Sequence, residues 1–293
     1  MHHLSCFNLQ RIFFAGILFL TFSVKPDAQT LEAGVFLGGA NYQGDLASSA
    51  FNVILKQVES AGGGFVRFNW NEYFSLKLQV IQTELKADDN HSSLPALQQR
   101  NLRFYSPLLD ASLRLEWQFL QQFSEYHQTF SPYLSMGGSF FTFKPQADYQ
   151  GKSYELQPLR TEGQGLPSFP GRKPYSLYSG SVLGGGGVKI KINEDLVVGL
   201  DLAIQYTFTD YLDDVSKTYA EYRELAVNYG SISANIAYQV DDFFNLEQTA
   251  PLPGTTRGNV KGNDLYITAG ISLSYLLINP DRSRSSGIGC PTF

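Results

Sequence analysis

From Leu109 to Phe119 apolar and polar residues alternate without a break. Side chains in an extended strand point to opposite faces in turn. One face therefore carries Leu109, Ala111, Leu113, Leu115, Trp117 and Phe119, and the other Asp110, Ser112, Arg114, Glu116 and Gln118. A helix would scatter both sets around its circumference. About eleven residues is also what a tilted strand needs to cross the hydrocarbon layer of a bilayer. The apolar face ends in two aromatic residues, as a membrane interface favours. A soluble sandwich would turn the polar face to water, whereas a membrane barrel turns it to the lumen.

The same period recurs along the chain. Phe74–Lys86 sets Leu76, Leu78 and Val80 against Lys77, Gln79 and Thr83. Val188, Ile190 and Ile192 oppose Lys189 and Lys191, and Val198, Leu200, Leu202, Ile204 and Tyr206 oppose Gly199, Asp201 and Gln205. Leu31–Ala40, Ala61–Trp70, Tyr133–Lys144 and Leu265–Leu277 are less regular strands. The connections Asn71–Tyr73 and Asn193–Asp195 are short and Leu120–Thr129 is moderate, while Asn41–Ser60, Ala87–Asn101, Pro145–Ser179 and Thr209–Asp264 are long. Short and long connections alternate, as periplasmic turns and external loops do in bacterial barrels. The expected fold is all-β: an eight-stranded antiparallel transmembrane β-barrel with long external loops and both termini in the periplasm. An aromatic content of 14% and 27 glycines suit aromatic girdles and tight strand packing.

The N-terminus reads as a secretory signal: a polar stretch to Arg11, an apolar run Ile12–Phe22 too short to span a bilayer, and a polar segment ending near Ala28. The expected organisation is a signal peptide over 1–28, an outer-membrane barrel over 29–278 and a periplasmic tail over 279–293. Cys6 precedes the apolar run, so lipidation there is not expected, and only Cys290 survives export, which excludes an internal disulfide. The whole chain has a net charge of −5, and losing Arg11, Lys25 and Asp27 leaves it more acidic still. A nucleic-acid partner would favour a basic surface and is not expected.

Few residues point to chemistry. Gly62–Gly64 and Gly184–Gly187 lack the Gly-Lys-Ser/Thr ending of a phosphate-cradling loop and fall inside strands, where they are read as relief of crowding in a small barrel. His91 and His127, the two histidines beyond the leader, fall at opposite ends of the barrel, and no Gly-x-Ser-x-Gly elbow occurs. No catalytic residue, cofactor or metal site is therefore expected. Lys77, Asp110, Arg114, Glu116, Lys189, Lys191 and Asp201 place both signs of charge in the lumen. The expected state is a salt-bridged filling, because eight strands enclose little more than their own side chains, and a proton or solute path is the alternative. Asp210, Asp213 and Asp214 are read as solvated loop acids, with Ca²⁺ ligation as the alternative, although the EF-hand spacing is missing.

Several segments carry a family resemblance. Phe208-Thr209-Asp210-Tyr211-Leu212-Asp213-Asp214-Val215-Ser216, followed by Thr218-Tyr219, resembles a signature of the PorG-like outer-membrane components of the Bacteroidetes type IX secretion system, a DUF6089-type family. Gly38–Leu46, Arg100–Phe104, Thr161–Gly165, Lys173–Ser176 and the Cys-Pro-Thr-Phe terminus resemble it in the same order. The resemblance implies an outer-membrane protein that contacts a periplasmic ring made of a lipoprotein and its ring partner. It also implies a role in secreting substrates with C-terminal sorting domains and, in gliding species, in motility. It implies no catalytic residues. Leu120–Thr129 and Asn279–Phe293 are then the expected docking surface, with outer-membrane lipid around the barrel. A small-solute porin or ligand-binding barrel is the alternative function, and a lipid-modifying enzyme a more remote one.

Overall fold

In the computed structural model the described residues are 29–47, 57–92, 94–120, 130–239, 251–258 and 262–278. The expected signal, the tail from 279 and the expected docking segment from 121 onward lie outside them, as does His127. Eight antiparallel strands close into a barrel: β1 (Thr30–Gln43), β2 (Glu59–Asn69), β3 (Phe74–Asp88), β4 (Arg103–Gln118), β5 (Phe130–Phe143), β8 (Tyr178–Lys191), β9 (Leu196–Thr207) and β10 (Leu265–Ile278). Each pairs with its neighbours, β1 pairs with β10, and β3 with β4, so the ring has no free edge. Closure pairs each strand on both sides through the middle of the wall, as a lipid solvent demands of backbone groups.

The side-chain pattern turns the barrel inside out relative to a soluble protein. Outward residues on the strands are large and apolar, from Leu37 (68% exposed) on β1 to Met136 (66%) on β5, with Leu113, Leu200 and Leu273 between them. A continuous apolar belt of that size is incompatible with water and fits the hydrocarbon layer. The protein is a transmembrane barrel of the outer-membrane type. No helix among the described residues is long and apolar enough to cross a membrane.

The strands outrun their expected bounds at the long-loop end, where β4 begins at Arg103 and β8 at Tyr178. There the outward residues turn polar, as at Gln82 and Thr142, so the wall continues above the belt. Phe119 and Ile192, read as strand residues, fall just past β4 and β8. The long connections are not bare loops. The one after β5 holds a hairpin of β6 (Gln146–Tyr149) and β7 (Lys152–Glu155), then the short helix α2 (Leu156–Leu159). The one after β3 holds helix α1 (Pro95–Arg100), and the one after β9 holds α3 (Tyr222–Tyr229) and α4 (Ser231–Tyr238). Together they build a cap over the outer mouth.

The glycine runs lie inside β2 and β8. A Cβ on Gly63 would stand 2.0 Å from the Val80 carbonyl oxygen, and one on Gly185 2.2 Å from that of Leu202. Adjacent strands approach too closely there for any side chain, which lets so narrow a sheet coil.

Candidate functional site

The interior is layered. Nearest the short turns lies an ionic layer that links six strands. Arg67 sits in register between Glu32 on β1 and Lys77 on β3. Its guanidinium donates to Glu32 at 2.7 Å and forms an ion pair with Glu116 at 3.0 Å, and Glu116 also pairs with Lys189 at 2.7 Å. Lys77 reaches Asp201 on β9 at 2.9 Å, and the Tyr133 hydroxyl donates to the same carboxylate. Asn69 and Ser274 donate to Glu32 at 2.7 and 2.8 Å. Three cations face three anions out of contact with bulk water, so the layer is neutral and its groups are paired.

Glu32 and Arg67, the hub of this layer, were not among the residues singled out from the sequence. Lys191 was, but it is only half-buried, at the end of β8. Asp110 and Arg114 belong to the next level outward. Asp110 accepts from the Tyr266 hydroxyl at 2.8 Å, and Arg114 Nε donates to Ser112 at 3.2 Å. Above them an apolar core takes over, with Phe141, Leu85, Leu108 and Phe104 beneath Leu212 and Val215 of the cap. Phe141 packs edge-on against Tyr266, and Tyr42 against Phe104.

The described segments that carry the family resemblance, far apart in the chain, converge in this cap, while the Cys-Pro-Thr-Phe terminus lies outside the described residues. Arg100 grips Asp89 with two bonds of 2.7 and 2.8 Å and donates to the Arg257 and Asp45 carbonyls at 2.6 and 2.9 Å. Glu162 accepts the backbone N–H groups of Ser216 and Lys217, each at 2.9 Å, and faces Arg257 at 3.3 Å. Tyr175 stacks on Tyr211 at 4.5 Å and donates to Asp214 at 2.6 Å. Thr161 donates to the other Asp214 oxygen, and Arg257 reaches the Asp214 carbonyl at 2.6 Å.

The expectation of solvated acids at Asp213 and Asp214 is therefore corrected: both are buried. Burial pushes the Asp214 carboxyl up to about 6 against the pull of Arg257. It pushes Asp210, which is half-buried, up to about 7. The chain reverses at Asp214, whose φ of 65° is left-handed. Asp213 bonds Tyr42 while Asp214 bonds Thr161 and Tyr175, so the two acids do not converge on one point. Among the described residues no group of three or more His, Cys, Asp or Glu side chains is arranged to hold a metal ion. His91 is exposed in a 3-10 turn over Asp89–His91.

Residues 10–161 match the model of a domain of unknown function, DUF6089. No protein of curated function matches the chain. Among solved structures it is similar to the outer membrane protein OprG of Pseudomonas aeruginosa, with a TM-score of 0.43, 10% identity, and coverage of 86% of this chain and 97% of that one. It is similar also to the E. coli outer membrane protein W, with a TM-score of 0.37, 13% identity, and coverage of 86% and 100%. For Ail, the attachment invasion locus protein of Yersinia pestis, the values are 0.35, 10%, 86% and 99%.

Proposed function

The chain belongs to the DUF6089 family, and from that premise we propose that it is a non-catalytic outer-membrane anchor of a type IX protein secretion machine, docking a periplasmic ring. The barrel is fixed in the membrane by its apolar belt and acts through its two ends. The observation that carries a structural role is the filling of the bore: the neutral ionic layer, then the Asp110–Tyr266 level, then the apolar core beneath the cap. A conduit needs a wetted path, and a barrel of eight strands holds such a path only if its own side chains leave room.

The secretion role rests on the resemblance of Phe208–Ser216 and its companion segments. The meeting of the described segments among them in one cap supports reading those as a unit. The partners of this reading are the ring lipoprotein and its ring partner, with outer-membrane lipid around the barrel and no nucleic acid. The experiment is chemical crosslinking in native membranes followed by purification of the barrel. Recovery of the ring lipoprotein is expected, and it falls when 279–293 is deleted. A barrel recovered without periplasmic partners sinks the reading.

A further inference from the structure

Near the end of β1, the Tyr42 hydroxyl lies 2.7 Å from Asp213 Oδ2 in the loop after β9 and 2.8 Å from Asp264 Oδ1 just before β10. The three residues are 0%, 2% and 1% exposed. A phenol has one hydrogen and donates to one acceptor, so the second contact takes its hydrogen from a carboxyl group. The pair of acids therefore holds a proton, as two like charges sharing a dry site must. The remaining oxygens are already engaged: Leu212 N donates to Asp264 Oδ2 and Val215 N to Asp213 Oδ1, each at 2.9 Å.

Neither acid forms an ion pair among the described residues. Asp45, after β1, and Asp210 add to the repulsion. Arg100 and Arg257 feel the field of Asp213 but are held by Asp89 and by Glu162 with Asp214. Tyr175 also feels it and is bonded to Asp214. On the remaining side the space is filled, since a Cβ on Gly44 would fall 2.1 Å from Asp264 Oδ1.

We infer that Tyr42, Asp213 and Asp264 form a one-proton latch that holds the loop 208–216 down on the outer mouth of the barrel, and that loss of the proton releases it. Burial raises both carboxyls, Asp264 to about 8 and Asp213 well above the usual range. A carboxyl raised in the docked state favours docking below its ordinary value, and that advantage is lost as pH climbs from there toward the docked value. The cap is therefore tightest in mild acid and loosens through neutrality.

The test is hydrogen exchange read by mass spectrometry on the full chain in lipid nanodiscs from pH 5 to 9, corrected for intrinsic exchange. The Leu212 and Val215 amides, which bond the two acids, are the reporters. Protection of peptides over 208–216 is expected to fall by up to about tenfold per pH unit from about pH 5 toward about pH 8. Asp213→Asn keeps an acceptor for Val215 and removes a titrating group, so it flattens the profile. Asp210 and Asp214 remain in that variant, so a profile that survives it overturns the latch, as does a flat profile in the unaltered chain. Folding is checked by heat-modifiable gel mobility, and Asp264→Asn replaces Asp213→Asn if the latter does not fold. If neither variant folds, a flat profile in the unaltered chain still overturns the latch.

Discussion

Replacing Glu116 by Gln removes the carboxylate that Arg67 and Lys189 share at 3.0 and 2.7 Å. All three side chains are inaccessible to solvent, so water cannot stand in for the lost charge. Arg67 keeps Glu32, but Lys189 loses its anion, and the layer passes from neutral to one positive charge in excess. Removing one partner of a buried pair costs about 3 to 5 kcal/mol, because the other charge stays buried without compensation. With a urea slope of about 3 kcal/mol per molar, the midpoint drops by about 1 to 2 M. The assay is reversible urea unfolding in lipid vesicles, followed by the fluorescence of Trp70 and Trp117. Glu116→Gln with Lys189→Met restores neutrality, and the double variant is expected to recover part of the loss, with a coupling of about 1 to 3 kcal/mol. A single-variant cost below about 1 kcal/mol, or a double variant that costs the sum of its parts, refutes the reading of the layer as a neutral buried network.

Other consequences are tested on the same preparation. Gly185→Ala drives a methyl into the Leu202 carbonyl and is expected to cost about 1 to 3 kcal/mol, while Gly184→Ala, whose Cβ meets nothing within 4 Å, leaves the folded fraction unchanged on heat-modifiable gels. Leu113→Arg on the lipid face of β4 is expected to destabilise the barrel by about 2 to 4 kcal/mol if Leu113 lies near the bilayer midplane, whereas Leu252→Arg in the exposed cap shifts the unfolding midpoint negligibly. Arg100→Lys cannot reproduce the forked grip on Asp89 together with two carbonyl bonds, so limited proteolysis of the external connections should quicken at neutral pH.

The barrel was legible because membrane strands write their two environments into alternate residues, and Leu109–Phe119 does so without interruption. Where glycines dilute the alternation the signal fades. Glu32 shares β1 with Gly34, Gly38 and Gly39, and Arg67 follows the Gly62–Gly64 run, so the hub of the ionic layer was missed while its partners Lys77, Glu116, Lys189 and Asp201 were found. Both hub residues do sit at inward positions of their strands, between outward residues such as Val66 and Phe68. The cap was less readable for another reason. Tyr42 meets Asp213 and Asp264 across 171 and 222 residues, and no local pattern announces contacts at that range. Acids in a polar connection look solvated until the fold brings tyrosines, threonine and backbone amides around them.

The central claim is that the protein works through its ends because its bore is filled. The most direct measurement is the conductance of the purified full chain in a planar bilayer, under salt and voltage at which open barrels conduct steadily. The account predicts no steady channel. A stable ohmic conductance that changes when Arg67 or Glu116 is substituted would contradict it, placing the ionic layer on a solute path.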